Sequence, residues 1–268
     1  MDKLQGKVAI VTGGAGGIGR AYALRLALLG ADVAIVDVDL DVASKYGEKL
    51  SAESVMEEVK RLGGRSIGIQ ADLSRQDAAR SAINRIFEEL GQIDILVNNA
   101  GGAITPIDRS RASESPLEDT EKVFAANFYS MVHCCQAAVP AMQRQGGAIV
   151  NVATNGVDRT PSSGRLAMYN SAKAAVIRYT QTLAVELGPD GIRVNCISPG
   201  IIESARIKAL AAARNLGTQA HADLTPMRRL GTPEDCAGVL EFLVTDLSRY
   251  VTGECIRVSG GATLVSAV

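Results

Sequence analysis

Tyr169-Asn170-Ser171-Ala172-Lys173 sets a phenol and an ammonium four residues apart. On a helix the two side chains share one face. A free phenol titrates at about 10, too high for efficient proton transfer at neutral pH. A nearby cation favours the phenolate and lowers that value. The pair can therefore exchange a proton with a substrate oxygen. The spacing alone is common by chance, and a surface Tyr and Lys on one helix is its ordinary meaning.

A second group of residues supplies a phosphate cradle. An apolar run, Val8–Val11, leads into Thr12-Gly13-Gly14-Ala15-Gly16-Gly17-Ile18-Gly19, and a helical pattern follows at once. Glycines allow a tight turn and let phosphate oxygens approach main-chain N–H groups, while the helix N-terminus adds its positive end. This is the first βα turn of a dinucleotide site. A mononucleotide P-loop is rejected, because Arg20-Ala21 stands where Lys and then Ser or Thr are required. Asp37 follows Gly19 by 18 residues, at the end of the second apolar run. A carboxylate there accepts hydrogen bonds from ribose hydroxyls and repels a 2′-phosphate, which favours NAD over NADP.

The elements that must position these groups are legible. Short, nearly continuous apolar runs occur at Val8–Val11, Val33–Val36, Ser66–Ile69, Ile93–Val97, Ala148–Val152, Arg193–Ile197 and Cys255–Val258. Such runs suit strands buried on both faces of a parallel sheet. Amphipathic segments alternate with them, among them Ile18–Leu29, Met56–Leu62, Gln76–Leu90 and Ala172–Leu187, which means right-handed βαβ units. Thr232, Pro233 and Asp235 form a helix start signal. The expected fold is α/β: a single doubly wound Rossmann-type domain over 1–268, with a mostly parallel sheet of about seven strands flanked by helices. Two stretches fit the alternation poorly, 40–55 and 201–225. The second is expected to be a substrate-side lid, with a plain surface helix pair as the alternative.

Composition narrows the class further. The 268 residues carry 28 basic and 29 acidic groups, net charge -1, and 47% are hydrophobic. That excludes a disordered chain and gives no support for a nucleic-acid partner. Five cysteines without a CxxC pair, and only His133 and His221, argue against a metal site or disulfide framework. No run is long enough to span a membrane, and no signal-type run opens the chain. A cytoplasmic protein with buried free thiols is expected. His133-Cys134-Cys135 reads as a buried helix face.

Several spaced motifs stand together in one order: Thr12-Gly13-x3-Gly17-x-Gly19, Asp72-Leu73, Asn98-Asn99-Ala100-Gly101, Asn127, Tyr169-x3-Lys173, and Arg193-Val194-Asn195 leading to Pro199-Gly200. The tail Tyr250-Val251-Thr252-Gly253 with Gly260-Gly261 belongs to the same pattern. Over nearly its whole length the chain resembles the short-chain dehydrogenase/reductase family. The resemblance implies an NAD-dependent oxidoreductase interconverting a secondary alcohol and a ketone by hydride transfer. It implies Tyr169 as proton donor and acceptor, Lys173 as ligand of the nicotinamide ribose, and Asn127 as holder of a relay water. Gly13, Gly17, Ile18, Gly19 and Asp37 would hold the adenosine and phosphate portion. Asp72 and Leu73 would contact adenine, and Asn99, Ala100 and Gly101 would line the cofactor. Pro199, Gly200, Ile202 and Ser204 would hold the nicotinamide end, with Ser204 where the family usually has Thr. The family also implies a homotetramer, formed through the helices bearing Asn127 and Tyr169.

One departure matters. The family's catalytic Ser position reads Thr154, in Asn151-Val152-Ala153-Thr154. Thr keeps a hydroxyl but adds a methyl and a restricted rotamer. Ser162 and Ser163, in the same loop, are alternative sources of that hydroxyl. The departure leaves a second reading open, an NAD-binding sensor or scaffold with weak catalysis. A hydrolase fits poorly, since no Gly-x-Ser-x-Gly elbow occurs. An enoyl reductase is disfavoured within the family, because its Tyr and Lys are spaced more widely. Arg159, Arg165, Arg206 and Lys208 can meet an anionic substrate or simply be solvated. The particular alcohol is not encoded in any motif.

Overall fold

The computed structural model describes residues 3–161, 163–214 and 217–265. Strands alternate with helices in the order β1 (Val8–Thr12), α1 (Gly17–Leu28), β2 (Asp32–Asp37), α2 (Val42–Lys45), α3 (Val55–Arg61), β3 (Ser66–Gln70), α4 (Gln76–Leu90) and β4 (Ile95–Asn98). Then come α5 (Leu117–Phe124), a π-helical turn (Ala125–Tyr129), α6 (Ser130–Met142), β5 (Gly147–Val152), α7 (Ala167–Leu187) and β6 (Ile192–Pro199). The chain continues through α8 (Ala205–Arg214), α9 (Gln219–Leu224), α10 (Pro233–Val244) and β7 (Cys255–Val258).

The seven strands form one sheet in the order β3-β2-β1-β4-β5-β6-β7, with every pairing parallel. Side chains alternate across it. Val8 and Ile10 face a core built with α4, α6 and α7, whereas Ala9 and Val11 face a second core built with α1, α3 and α10. This two-sided burial explains the unbroken apolar runs in the sequence. The chain winds one way from β1 to β3 and the other way from β4 to β7. The carboxyl ends of β1 and β4 therefore part at a switch point, where open α/β sheets bind ligands.

The expected strands are all present, with shifts at their ends. The fourth begins at Ile95 rather than Ile93, and the sixth extends to Pro199. The helix expected from Ala172 begins five residues earlier, at Ala167. The Thr232 signal is realised as a capping box with Asp235, and Pro233 sits at the first helical position. The 201–225 stretch is α8 and α9, with residues 215–216 outside the described chain. Among the described residues no helix is long and apolar enough to cross a membrane.

The entry to β4 is tied to β1 by one buried carboxylate. Asp94 accepts from the Val8 N–H at 2.8 Å, Lys7 at 2.9 Å and Gln92 at 2.8 Å. Its loss leaves a buried strand N–H without a partner, so Asp94→Ala should lower unfolding free energy by about 1–3 kcal/mol in denaturant titration.

Candidate active site

The β1–α1 turn is built on backbone crowding. A Cβ on Gly19 would stand 1.9 Å from the Gly13 carbonyl oxygen. Gly13 itself has φ +62, and a Cβ there would meet Ala100 Cα at 2.9 Å. Only glycine permits this approach of helix, turn and β4 end. Thr12 fastens the two strand ends: its Oγ1 accepts from the N–H groups of Asn99 and Ala100, each at 3.1 Å. The Asn99 amide donates to the carbonyls of Thr12 and Gly13.

From this turn a cavity of ≈ 1390 Å³ runs along the carboxyl edge of the sheet. That exceeds the roughly 300–1,000 Å³ of an ordinary small-ligand pocket. A dinucleotide fits what is present, since the turn carries no side chain that would fill the cradle and the space continues to Tyr169. Gly13, Gly17, Ile18, Gly19, Asp37, Asp72, Leu73, Asn99, Ala100 and Gly101 all line it. So do Thr154, Tyr169, Lys173, Pro199, Gly200, Ile202 and Ser204.

Asp37 closes one end. Its carboxylate accepts from the Ala15 N–H at 3.1 Å and from the Asp39 N–H at 3.3 Å. Burial lifts its pKa above the ordinary carboxylate value, and those N–H groups oppose the shift. Lys173 lies at the other end, 3% exposed, donating to the Val152 carbonyl at 2.7 Å. Burial pulls its pKa down to about 8.

Thr154 Oγ1 accepts from the Gly156 N–H at 3.3 Å and heads a short 3-10 turn, Asn155–Val157. Ser163 is exposed and not part of the lining, and Ser162 lies outside the described residues. Of Thr154 and Ser163, Thr154 is the one that lines the cavity.

Asn127 sits behind the wall, 1% exposed, on the π-helical turn. Its amide donates to the carbonyls of Gly102 at 3.0 Å and Val123 at 2.8 Å, and accepts from the Gly102 N–H at 2.8 Å. The side chain is thus spent on holding the loop after β4. A lone π turn inside a helix commonly marks a functional position.

Of the four basic residues, Arg159 and Arg206 line the cavity, where they donate to the carbonyls of Ala262 and Gly101. Lys208 pairs with Glu203 on the surface, and Arg165 is not in the lining. Cys134 and Cys135 are buried, and burial pushes the Cys134 thiol up to about 12. The described residues contain no cluster of His, Cys, Asp or Glu able to hold a metal.

The motifs did not reveal Glu48. It comes from the 40–55 connection, lines the cavity, and accepts from the Gly17 N–H at 2.8 Å and from Arg20 at 3.0 Å. Arg20 also makes a two-pronged pair with buried Glu58. The stretch that broke the alternation is therefore a cover over the glycine turn. Arg20 next to the last glycine was the one local hint of it.

The depressed Lys173 pKa carries a stability consequence. Between about 8 and its unfolded value the unfolded chain binds more protons than the folded one, so stability rises with pH across that window. Relative to Lys173→Met, the wild type should gain up to about 3 kcal/mol as pH climbs from about 8 toward 10.5, read from paired denaturant titrations.

A protein-family model described as Enoyl-(Acyl carrier protein) reductase matches residues 13–263. Cyclohexanol dehydrogenase of Rhodococcus sp. (strain TK6) is 45% identical over 264 residues, 97% of each chain. A solved short-chain type dehydrogenase/reductase from Mycobacterium marinum is 32% identical with a TM-score of 0.85, covering 98% of this chain and 97% of its own. A 7 alpha-hydroxysteroid dehydrogenase solved with NADH and 7-oxo glycochenodeoxycholic acid is 31% identical with a TM-score of 0.82, covering 96% and 94%. The likeness runs through the whole fold and through relatives that oxidise alcohols, so the chain belongs to the short-chain dehydrogenase/reductase family and is an oxidoreductase acting on CH–OH groups.

Proposed function

We propose that the protein is an NAD-dependent dehydrogenase that interconverts an apolar, ring-bearing secondary alcohol and its ketone. The reading rests on one arrangement: Tyr169 and Lys173 open onto the same cavity as the glycine turn and Asp37. A bound nicotinamide cofactor supplies hydride acceptance and donation. Gly13, Gly17, Ile18 and Gly19 bind its phosphate portion, and Asp37 takes the adenosine ribose. Asp72 and Leu73 take adenine, and Asn99, Ala100 and Gly101 line its length. Pro199, Gly200, Ile202 and Ser204 hold the nicotinamide end.

Tyr169 takes the hydroxyl proton during oxidation and returns it during reduction. Thr154 donates a hydrogen bond to the same oxygen as charge develops there. Lys173 holds the ribose and favours the phenolate. Because the Asn127 amide is committed to Gly102 and Val123, a relay water at this position would rest on the Asn127 main-chain carbonyl.

Ile104, Ile107, Leu166, Ile207 and Leu210 give the substrate end an apolar lining, which suits the ring alcohol named for the 45% identical relative. The 201–225 stretch acts as a lid, since Arg206, Ile207, Leu210, His221 and Leu224 line the cavity from it. A homotetramer is part of this reading. Tyr129 and Val185, exposed on the helices that carry Asn127 and Tyr169, supply apolar contact surface for it.

Cofactor reduction followed across a panel of secondary alcohols tests the assignment, and steady NADH formation is expected. Tyr169→Phe should lower kcat/KM on the order of 10²–10⁴-fold while NADH binding stays near wild type. Turnover near wild type in that variant would remove Tyr169 from the chemistry. Asp37→Ala should raise kcat/KM with the 2′-phosphorylated cofactor at least about tenfold, because the carboxylate no longer repels it.

A further inference from the structure

Leu166 is held in a conformation that leucine avoids. Its φ is +63 and ψ +23, and among the described non-glycine residues only Arg228 shares a positive φ. The side chain offers no polar atom to offset the strain, so surrounding contacts must impose the geometry. They come from one residue of the β4–α5 connection. The Leu166 N–H donates to Ser110 Oγ at 3.1 Å, and the Ala167 N–H donates to the Ser110 carbonyl at 3.1 Å. Ser110 Oγ in turn donates to the Ile107 carbonyl at 2.7 Å.

Leu166 is the N-cap of α7, and its side chain supplies no cap hydrogen bond. Two N–H groups at the start of that helix are therefore satisfied from 56 and 57 residues upstream. The same connection is anchored twice more. Asn127 grips Gly102 at its start, and Arg109 pairs with buried Asp119 through two nitrogens, at 2.8 and 3.0 Å. Ala103, Ile104 and Ile107 of this connection line the main cavity. Leu166 and Tyr169 line both that cavity and a small space beneath the connection. Leu166 is therefore a wall between loop and cavity, three residues before the phenol.

We propose that Ser110 is a positioning residue and Leu166 a specificity-determining residue of this dehydrogenase. The Ser110 hydroxyl and carbonyl lock Leu166 in the left-handed conformation, which sets the apolar wall beside Tyr169 and the start of the helix that carries it. The inference rests on the dehydrogenase reading above. The loop and the first turn of α7 then move as one body, and the bulk of the accepted alcohol is set by Leu166.

Three variants and two kinds of readout test this. In Ser110→Ala, which removes the hydroxyl but keeps the carbonyl that Ala167 meets, the Leu166 amide should exchange with solvent at least tenfold faster. Its kcat for a six-membered alicyclic alcohol should fall at least fivefold, with the NADH Kd within twofold of wild type. Ser110→Thr, which keeps the hydroxyl, should restore both. Leu166→Gly adopts the positive φ without strain and takes the side chain out of the wall. Its kcat/KM for a fused-ring secondary alcohol relative to the compact one should rise at least tenfold. Wild-type amide exchange or wild-type kcat in Ser110→Ala overturns the positioning role, as does failure of Ser110→Thr to rescue. A bulky-to-compact ratio within twofold of wild type in Leu166→Gly overturns the specificity role. A wild type inert toward every alcohol would sink the dehydrogenase reading, while exchange at Leu166 would still decide the Ser110 contact.

Discussion

The cavity exists because the backbone of the β1–α1 turn touches itself. Gly19 lies so close to the Gly13 carbonyl that a single added carbon would overlap it, and a carbon added to Gly13 would crowd Ala100 at 2.9 Å. These approaches let α1 begin directly above β1 and let the β4 end pass beneath the turn. Thr12 then joins the two strand ends through one hydroxyl that serves two N–H groups. A side chain at Gly19 would collide with the Gly13 carbonyl and push α1 from the sheet. Every later feature of the cleft is laid out from this contact, since parallel register carries its position outward through β4, β5 and β6.

Charge is distributed along the cleft with the same economy. The glycine end carries Asp37 and Glu48, both accepting from backbone N–H groups of the turn. The other end carries Lys173, whose ammonium is stripped of water and meets the Val152 carbonyl. Beneath it lies a polar ladder: Asn98 donates to Asn151, and Asn151 to Thr180. These two bonds tie the ends of β4 and β5 to α7 and fix them against sliding. Glu48 takes one of the donors at the α1 N-terminus, where an anion is favoured. A carboxylate from the chain's own cover thus sits against the glycine turn.

What the sequence disclosed follows from the range of each interaction. Strands buried on both faces announce themselves as apolar runs, and the glycine turn announces itself because backbone crowding demands one residue type. Tyr169 and Lys173 are four apart on one helix, so their shared face is local information. Glu48 is different. Its partner lies 31 residues away, and nothing near it in the chain distinguishes it from a solvated acid. Ser110 and Leu166 were equally silent, because a leucine with positive φ has no sequence signature. The early start of α7 has the same cause. Its first turn is capped by Ser110 from another loop, so no local capping residue marked Ala167 as the beginning. Asn127 was found by motif, but the commitment of its amide to Gly102 depends on a π turn that no periodicity reveals.

Threonine at the position of the usual serine is intelligible in this frame. A β-branched hydroxyl has few rotamers, and here the Gly156 N–H occupies one of its lone pairs. Gly156 is itself pressed against α7, since a Cβ there would stand 2.3 Å from the Asn170 amide oxygen. Asn170 follows Tyr169 directly. The hydroxyl proposed to meet the substrate oxygen and the phenol proposed to take its proton are thus referenced to the same helix turn. The added methyl costs adaptability, but a hydroxyl that must donate along one direction gains from having fewer ways to point. On the proposed role of Thr154, the replacement narrows the directions open to its hydroxyl and keeps the donor.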